Sequence, residues 1–213
     1  PVRGITRTLD WNTLTLYTVA AGLSACLCGV MLVFAHFQAG TLAIRTWAIG
    51  ILVLSAGFFV SGIGPALPRW MTVIGTNLAL IAGIVILNAG VSVYCSQREG
   101  ITAWWGWAVL SAAAPAFWYW GIVEPNGHYR SVVFSLAVAA VCIPSTVLLV
   151  RAARLRMGGK PTWGMALLFG TVTLWMLGRA TLLLVAPNPQ QPDLRGANPT
   201  TWVTVFWYIV LMS

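Results

Sequence analysis

Long apolar segments follow one another with short polar links, and this feature most restricts what the 213-residue chain can fold into. A hydrocarbon core about 30 Å thick is crossed by roughly 20 apolar residues in a helix. Hydrophobic residues make up 59% of the chain and charged residues 8%, whereas soluble domains are about 25% charged. We therefore expect a membrane protein whose first partner is the lipid bilayer.

Seven segments are apolar enough to be spans, and the seventh reaches the end of the chain. They cover residues 14–35, 43–64, 71–94, 102–120, 131–150, 163–186 and 200–213. Lipid permits only helices or closed barrels, and strand-like alternation is not visible in the sequence. Short links predict that neighbouring helices pack antiparallel. The predicted fold is all-α: a single domain over residues 1–213, built as a polytopic, seven-transmembrane up-down helical bundle with a truncated seventh helix.

The basic residues determine the predicted orientation. The net charge is +8, and apart from Arg179 the Lys and Arg side chains stand at segment ends, which indicates membrane anchoring and no nucleic-acid partner. The densest group lies between the fifth and sixth segments and comprises Arg151, Arg154, Arg156 and Lys160. Such clusters face the cytoplasm. We therefore predict a multi-pass protein of the bacterial inner membrane, with a periplasmic amino terminus and a cytoplasmic carboxyl end.

Several classes of function are disfavoured by residues that the segments lack. A retinal protein needs a lysine inside a span, but Lys160 lies in a link. Two histidines cannot share a haem, because His36 and His128 fall at opposite ends of the predicted bundle. We expect no catalytic, metal or cofactor site in these residues, since no nucleophile–base pair, phosphate-binding loop or metal cluster is visible. Ion-coupled transport is disfavoured because the carboxylates also lie at segment ends. They are Asp10, Glu99, Glu124 and Asp193.

Arg179 is the one charge predicted to lie well inside a span. An arginine at the centre of a membrane costs about 2.5 kcal/mol or more unless it is paired or reaches the interface. One interpretation is a structural arginine bonded to Glu124, to Asp10 or to carbonyls of a kinked helix. The other is an outward-facing pocket for a small anionic or amphipathic ligand. The candidate ligand-binding residues of that pocket are Arg179, Asn77, Glu124, Arg130, Trp120 and His128.

Four stretches of the chain resemble the multi-spanning N-terminal input domains of bacterial GGDEF proteins, the membrane-bound diguanylate cyclases. They are RTWAIGILVLSAG (45–57), LPRWMTVIGTNLALIAG (67–83), YWGIVEPNGHYRSVVFSL (119–136) and LGRATLLL (177–184). In segment order and spacing, the resemblance covers essentially the whole chain. It implies a sensor domain of a cyclic di-GMP signalling protein, which works as a homodimer and whose seventh helix continues into a cytoplasmic output domain.

The same resemblance shows which part of such a protein is missing here. The catalytic GGDEF domain is not among these residues, so we expect it after residue 213, and GTP and Mg²⁺ are expected for that domain alone. The chain itself is expected to detect a periplasmic or membrane cue and to control the cyclase. Two alternatives stay open. One is a small transporter or channel subunit in which Arg179 lines an anion path, and the other is a structural subunit of a larger membrane complex.

Overall fold

A computed structural model of the chain contains five long helices joined by short links. It describes residues 42–64, 67–95, 101–155 and 159–185, together with scattered helical positions between residues 18 and 36. The helices are α1 (Leu42–Gly62), α2 (Thr76–Tyr94), α3 (Ile101–Trp118), α4 (Gly127–Arg154) and α5 (Gly159–Val185). Every described element is helical, which confirms the all-α part of the predicted fold.

Four helical stretches are long and apolar enough to cross a membrane, as expected of a membrane protein. They are Leu42–Gly62, Met71–Tyr94, Gly127–Arg154 and Thr162–Val185. These stretches correspond to the second, third, fifth and sixth predicted segments. The seventh segment and most of the first lie outside the described residues. The count of seven spans therefore stays a prediction.

Helix α3 lies where the fourth span is predicted, but it is not among those four stretches. Trp104, Trp105 and Trp107 lie in its first half, and Trp118 ends it. The indole ring is amphipathic, so these tryptophans lower the mean hydropathy of the helix. Helix α3 nevertheless packs against both α2 and α4. Helix α3 contains no charged residue.

Two π-helices interrupt the regular α-helical geometry. The first, π1 (Met71–Gly75), leads directly into α2, and the second, π2 (Tyr119–Val123), continues α3. In a π-helix an N–H donates to the carbonyl five residues earlier. Accordingly, the Glu124 N–H donates to the Tyr119 carbonyl at 2.8 Å. Neither element was predicted from the sequence, and π2 carries the fourth helical stretch beyond its predicted end at residue 120.

Consecutive helices run antiparallel. Gly50 of α1 faces Gly83 of α2, whereas Gly57, further along α1, faces Leu80, which is earlier in α2. The contacts between α3 and α4 and between α4 and α5 follow the same order. Helix α2 also contacts α4. The described helices thus form an up-down bundle in which α2, α3 and α4 pack against one another.

Apolar side chains from all five helices fill the interior of the bundle. Phe58 of α1, Phe117 of α3 and Met176 of α5 are fully buried in the main cluster. A second cluster contains Leu148 of α4 and Ala166 of α5. Lipid is as apolar as these side chains, so close packing and hydrogen bonds, and not the exclusion of water, hold such helices together.

Glycine allows the close contact between α1 and α2. A Cβ atom at Gly83 would stand 2.9 Å from the Gly50 carbonyl oxygen and 2.6 Å from Leu54 Cγ. Further along α2, Trp47 of α1 donates from its Nε1 to the Leu87 carbonyl at 3.1 Å. Small residues at an interface let two helix backbones approach each other. This contact therefore fixes the distance between α1 and α2.

A tryptophan compensates for the proline inside α4. Pro144 has no N–H, so the carbonyl of Ala140, four residues earlier, lacks its helical donor. Trp105 Nε1 of α3 donates to that oxygen at 2.8 Å. An unsatisfied backbone group in lipid costs several kcal/mol. The bond thus stabilises α4 and ties it to α3 at the same point.

The substitution Gly83→Ala tests the contact between α1 and α2. We expect it to lower the free energy of unfolding by about 1–3 kcal/mol, because the Gly50 backbone cannot move aside as a flexible side chain would. Gly164→Ala is the matched control, since nothing lies within 4 Å of a Cβ at that position. Unfolding of both variants in mixed micelles of increasing SDS content measures the difference. Equal stability of the two variants would contradict the prediction.

Candidate functional site

The two π-helices meet at one end of the bundle. A Cβ atom at Gly121 of π2 would stand 2.6 Å from Val73 Cγ1 of π1, so the two segments are in close contact. We call the region formed by residues 71–77 and 119–130 the π end. π-helices are rare and occur frequently at functional sites. The π end is therefore the first place to look for a ligand site.

Asn126 joins π2 to the start of α4. Its Oδ1 accepts hydrogen bonds from the His128 N–H at 3.0 Å and from the Tyr129 N–H at 3.3 Å. Its own N–H donates to the Trp120 carbonyl at 2.9 Å. An asparagine in this position satisfies N–H groups that have no partner within the helix. The turn after π2 is consequently held by hydrogen bonds on both sides of Asn126.

Aromatic rings pack together at the π end. The ring centroids of Tyr119 and Trp120 are 4.7 Å apart in an edge-to-face arrangement, and those of Trp120 and Tyr129 are 4.6 Å apart. The imidazole of His128 lies edge-to-face with Tyr129 at 5.5 Å. Tyr119 and Tyr129 are exposed, whereas Trp120 is half-buried. The cluster holds Trp120 in place and presents aromatic surface around it.

Glu124 and His128 have different surroundings within the π end. Glu124 is exposed, and its carboxylate accepts a hydrogen bond from the Tyr119 hydroxyl at 3.0 Å. His128 is half-buried, and its Nδ1 atom is buried without a hydrogen-bond partner among the described residues. Buried polar atoms are nearly always hydrogen-bonded in folded proteins. The Nδ1 atom of His128 is therefore suited to a ligand or a water molecule.

Asn77 lies at the junction of π1 and α2. Its Nδ2 donates to the carbonyl of Val73, one of the π1 residues. A side chain that bonds to a carbonyl four residues earlier competes with the helical ladder and favours local irregularity. Asn77 therefore stabilises π1, and this amide N–H is already used.

Arg179 lies on α5, deeper in the bundle than the π end. Gly170 of α5 packs against Thr146 of α4, so the antiparallel register places Arg179 about 15 Å along the axis from the start of α4 at 1.5 Å per residue. Arg179 is half-buried, its Nε atom is buried, and its neighbour Ala180 is part of the core. The arginine is thus partly buried on α5, the helix that packs against α4.

The predicted ligand-binding residues therefore fall at two depths. Arg179 lies at the deeper level, and the others share the π end: Asn77, Trp120, Glu124, His128 and Arg130. The hydrogen bond of the Glu124 side chain is to Tyr119 of the same turn and not to Arg179. Asp10, the other carboxylate considered for Arg179, lies outside the described residues.

Tyr119, Asn126 and Tyr129 are part of the π end but were not predicted from the sequence as site residues. The capping role of Asn126 could have been predicted from the sequence, because an Asn followed by Gly before an apolar run is typical of a helix start. The ring contacts have no such signal. These ring contacts depend on the π-helical geometry of π2, because a π-helical turn is wider than an α-helical turn. This geometry sets the direction in which Tyr119 and Trp120 extend relative to α4.

A second polar group lies in the interior, between α2 and α4. Asn88 is buried, its Nδ2 donates to the Ile84 carbonyl at 2.7 Å, and the Cys142 thiol of α4 lies beside its amide. Ser145, one turn further along α4, is also buried. Within the described part of the chain, no group of three or more His, Cys, Asp and Glu side chains could hold a metal ion. We interpret Asn88 and Cys142 as a polar contact that fixes α2 against α4.

Comparisons with known proteins give no match: no family model, curated protein or solved structure matches the chain. The resemblance to GGDEF input domains therefore rests on the four stretches of sequence alone. In the structure, the stretch 45–57 supplies the α1 side of the glycine contact, and 67–83 and 119–136 contain π1 and π2. Most of the residues that carry the resemblance thus build the π end and the contact between α1 and α2.

The substitution Asn126→Ala tests the link between π2 and α4. We expect a loss of about 1 kcal/mol in the free energy of unfolding, because the His128 and Tyr129 N–H groups lose their acceptor. Asn126→Asp keeps an acceptor and should lose less. Unfolding in SDS, followed by near-ultraviolet circular dichroism of the aromatic cluster, measures both variants. An equal loss in both would show that the capping hydrogen bonds are not the cause.

Proposed function

We propose that this chain is the membrane-embedded input domain of a cyclic di-GMP signalling protein. In this proposal it detects a small anionic or amphipathic ligand at the π end and controls a diguanylate cyclase domain that follows residue 213. The observation that carries the proposal is the convergence of two packed π-helices, an aromatic cluster and charged side chains at one end of the bundle. The four stretches that resemble GGDEF input domains support the choice of output.

Ligand contact at the π end reaches three helices at once. π2 continues α3, contacts π1 at the start of α2 and is hydrogen-bonded to the start of α4. A ligand that binds one packing arrangement more tightly shifts the population towards it. A coupling free energy of about 1–3 kcal/mol changes the affinity or population ratio about 5–150-fold. That range is sufficient for a signalling switch.

The side chains of the π end indicate the class of ligand. The Arg130 guanidinium and the His128 imidazole suit an anionic group, since arginine forms paired hydrogen bonds with carboxylates and phosphates. Trp120 and Tyr129 offer flat surfaces for an apolar part. Arg179, deeper in the bundle, would meet the inserted part of a longer ligand. A ligand with one anionic group and an apolar body fits this set best.

The complete topology belongs to the same proposal. We infer seven spans in a bacterial inner membrane, a periplasmic π end, a cytoplasmic carboxyl end and a homodimer. Helix α3 and π2 together, Ile101–Val123, extend about 34 Å at 1.5 Å per residue, which is enough for a further span. Arg151 and Arg154 end α4 at the side opposite the π end, and such charges favour the cytoplasmic side.

Labelling of single cysteines tests this orientation. A cysteine is placed at Glu124 or at Leu155, which are both exposed and lie at opposite ends of α4. We expect a membrane-impermeant maleimide to label Glu124→Cys in intact spheroplasts, and Leu155→Cys only after lysis. The opposite pattern would place the π end in the cytoplasm. The native cysteines are first replaced by alanine: Cys26, Cys28, Cys95 and Cys142.

Variants of Arg179 in the full-length protein test the signalling role. We expect Arg179→Ala to change the cellular cyclic di-GMP level at least about fivefold, because a cation inside the bundle is lost. Arg179→Lys keeps the charge and should change it less. Trp104→Phe is the control, since that side chain is 79% exposed near the opposite end of α3. Mass spectrometry of nucleotide extracts gives the measurement.

Two results would contradict the proposed function. One is an unchanged cyclic di-GMP level in both Arg179 variants when their amounts and unfolding curves equal those of the unmodified protein. The other is selective anion flux through liposomes that contain this chain alone, which would favour the transporter alternative. Coding sequence for a GGDEF signature after the codon for Ser213 would support the output half of the proposal.

A further inference from the structure

One face of α4 is exposed along most of its length and ends in two cations. The exposed residues on this face follow helical spacing: Leu136, Ile143, Val147, Arg151 and Arg154. Residues three, four or seven positions apart share one side of a helix. The first three are apolar and the last two are charged. The face therefore has an apolar part and a charged part, as a phospholipid has acyl chains and a charged headgroup.

The two arginines are available to an outside anion. Both are exposed, and neither forms an ion pair with a described residue. Glu124 is the carboxylate that the structure describes, and it lies about 40 Å from Arg151 along α4 at 1.5 Å per residue. Arg45 of α1 is also exposed at this end, where its neighbour Trp47 packs against the cluster that contains Leu148. Among the described residues, three cations thus lie at this end of the bundle.

The described residues of α3 do not cover the last part of α4, from about residue 144 to Arg154. Trp105 contacts Ala140, and α3 begins at Ile101, so the antiparallel register ends α3 near residue 144 of α4. Helix α4 continues to Arg154, about 15 Å further. Val147, in this part, is 45% exposed. This part of the α4 face is therefore not covered by α3.

We propose that this face of α4 binds an anionic phospholipid. The phosphate lies between Arg151 and Arg154, and one acyl chain lies along Val147 and Ile143. A neutral lipid would fit the apolar residues but would leave the positive charge of the arginines uncompensated, whereas a soluble phosphate would contact the arginines alone. Only an anionic lipid complements both parts of the face. The two arginines lie at the end of the bundle opposite the π end, so lipid binding there does not depend on the proposed function.

Binding of phosphatidylglycerol to the purified chain tests the proposal. Each arginine next to an anionic lipid is expected to strengthen binding about fivefold. The double variant Arg151→Gln/Arg154→Gln should therefore bind about 25-fold more weakly by native mass spectrometry in detergent. Arg69→Gln is the control, because Arg69 is equally exposed but lies beside π1 at the other end. It should bind like the unmodified protein.

Further measurements distinguish a bound anionic lipid from a neutral lipid and from a soluble anion. The Arg151→Lys/Arg154→Lys variant should retain most of the binding, and circular dichroism shows whether each variant is folded. Phosphatidylcholine should bind more weakly than phosphatidylglycerol, and glycerol 1-phosphate should not compete.

Equal binding by the glutamine double variant, or equal binding of the two lipids, would overturn the proposal. Competition by glycerol 1-phosphate would overturn the acyl-chain contact. None of these readouts uses cyclic di-GMP, so lipid binding and the proposed function can fail separately.

Discussion

In lipid, each backbone N–H and carbonyl has to be satisfied within the protein, and the rest of this structure depends on that requirement. At two interruptions of the α-helical ladder, side chains donate hydrogen bonds to backbone carbonyl groups. Trp105 donates to the carbonyl freed by Pro144, and Asn77 donates to a carbonyl of π1. Each interruption therefore ties one part of the bundle to a particular side chain. The irregular positions are the ones at which the sequence is least free to vary.

Helix α2 and the π1 segment that leads into it illustrate two ways of holding helices together. Around Gly83, the backbones of α1 and α2 are in direct contact, so neither helix can approach further or slide without collision. At π1, the contact with π2 is made by the Val73 side chain, and the helical turn there is wider than an α-helical turn. Such contacts permit more than one arrangement. For the proposed sensing role, this part of the chain combines a fixed contact with a more adaptable one.

Hydropathy was sufficient to predict the helices, because each crossing of lipid requires a continuous apolar run. The predicted segment 71–94 has the same bounds as Met71–Tyr94, whereas α4 exceeds its predicted range of 131–150 at both ends. Asn126 starts α4 early by capping it, and Arg151 and Arg154 are good helix formers that extend it past the apolar run. The π-helices and the ring packing of the site were not predictable, since a shift of one hydrogen bond leaves no residue pattern.

The bond between Trp105 and the Ala140 carbonyl couples the residue at position 105 to the residue at position 144, so that selection acts on the two together. If residue 144 regained an N–H, this backbone group would compete for the oxygen, and the indole would be left without an acceptor inside the apolar layer. If the indole were lost first, the carbonyl beside Pro144 would be exposed to lipid. Neither change is neutral alone, whereas both together restore an ordinary helix. Descendants of this chain should therefore keep the proline and the tryptophan jointly or lose them jointly.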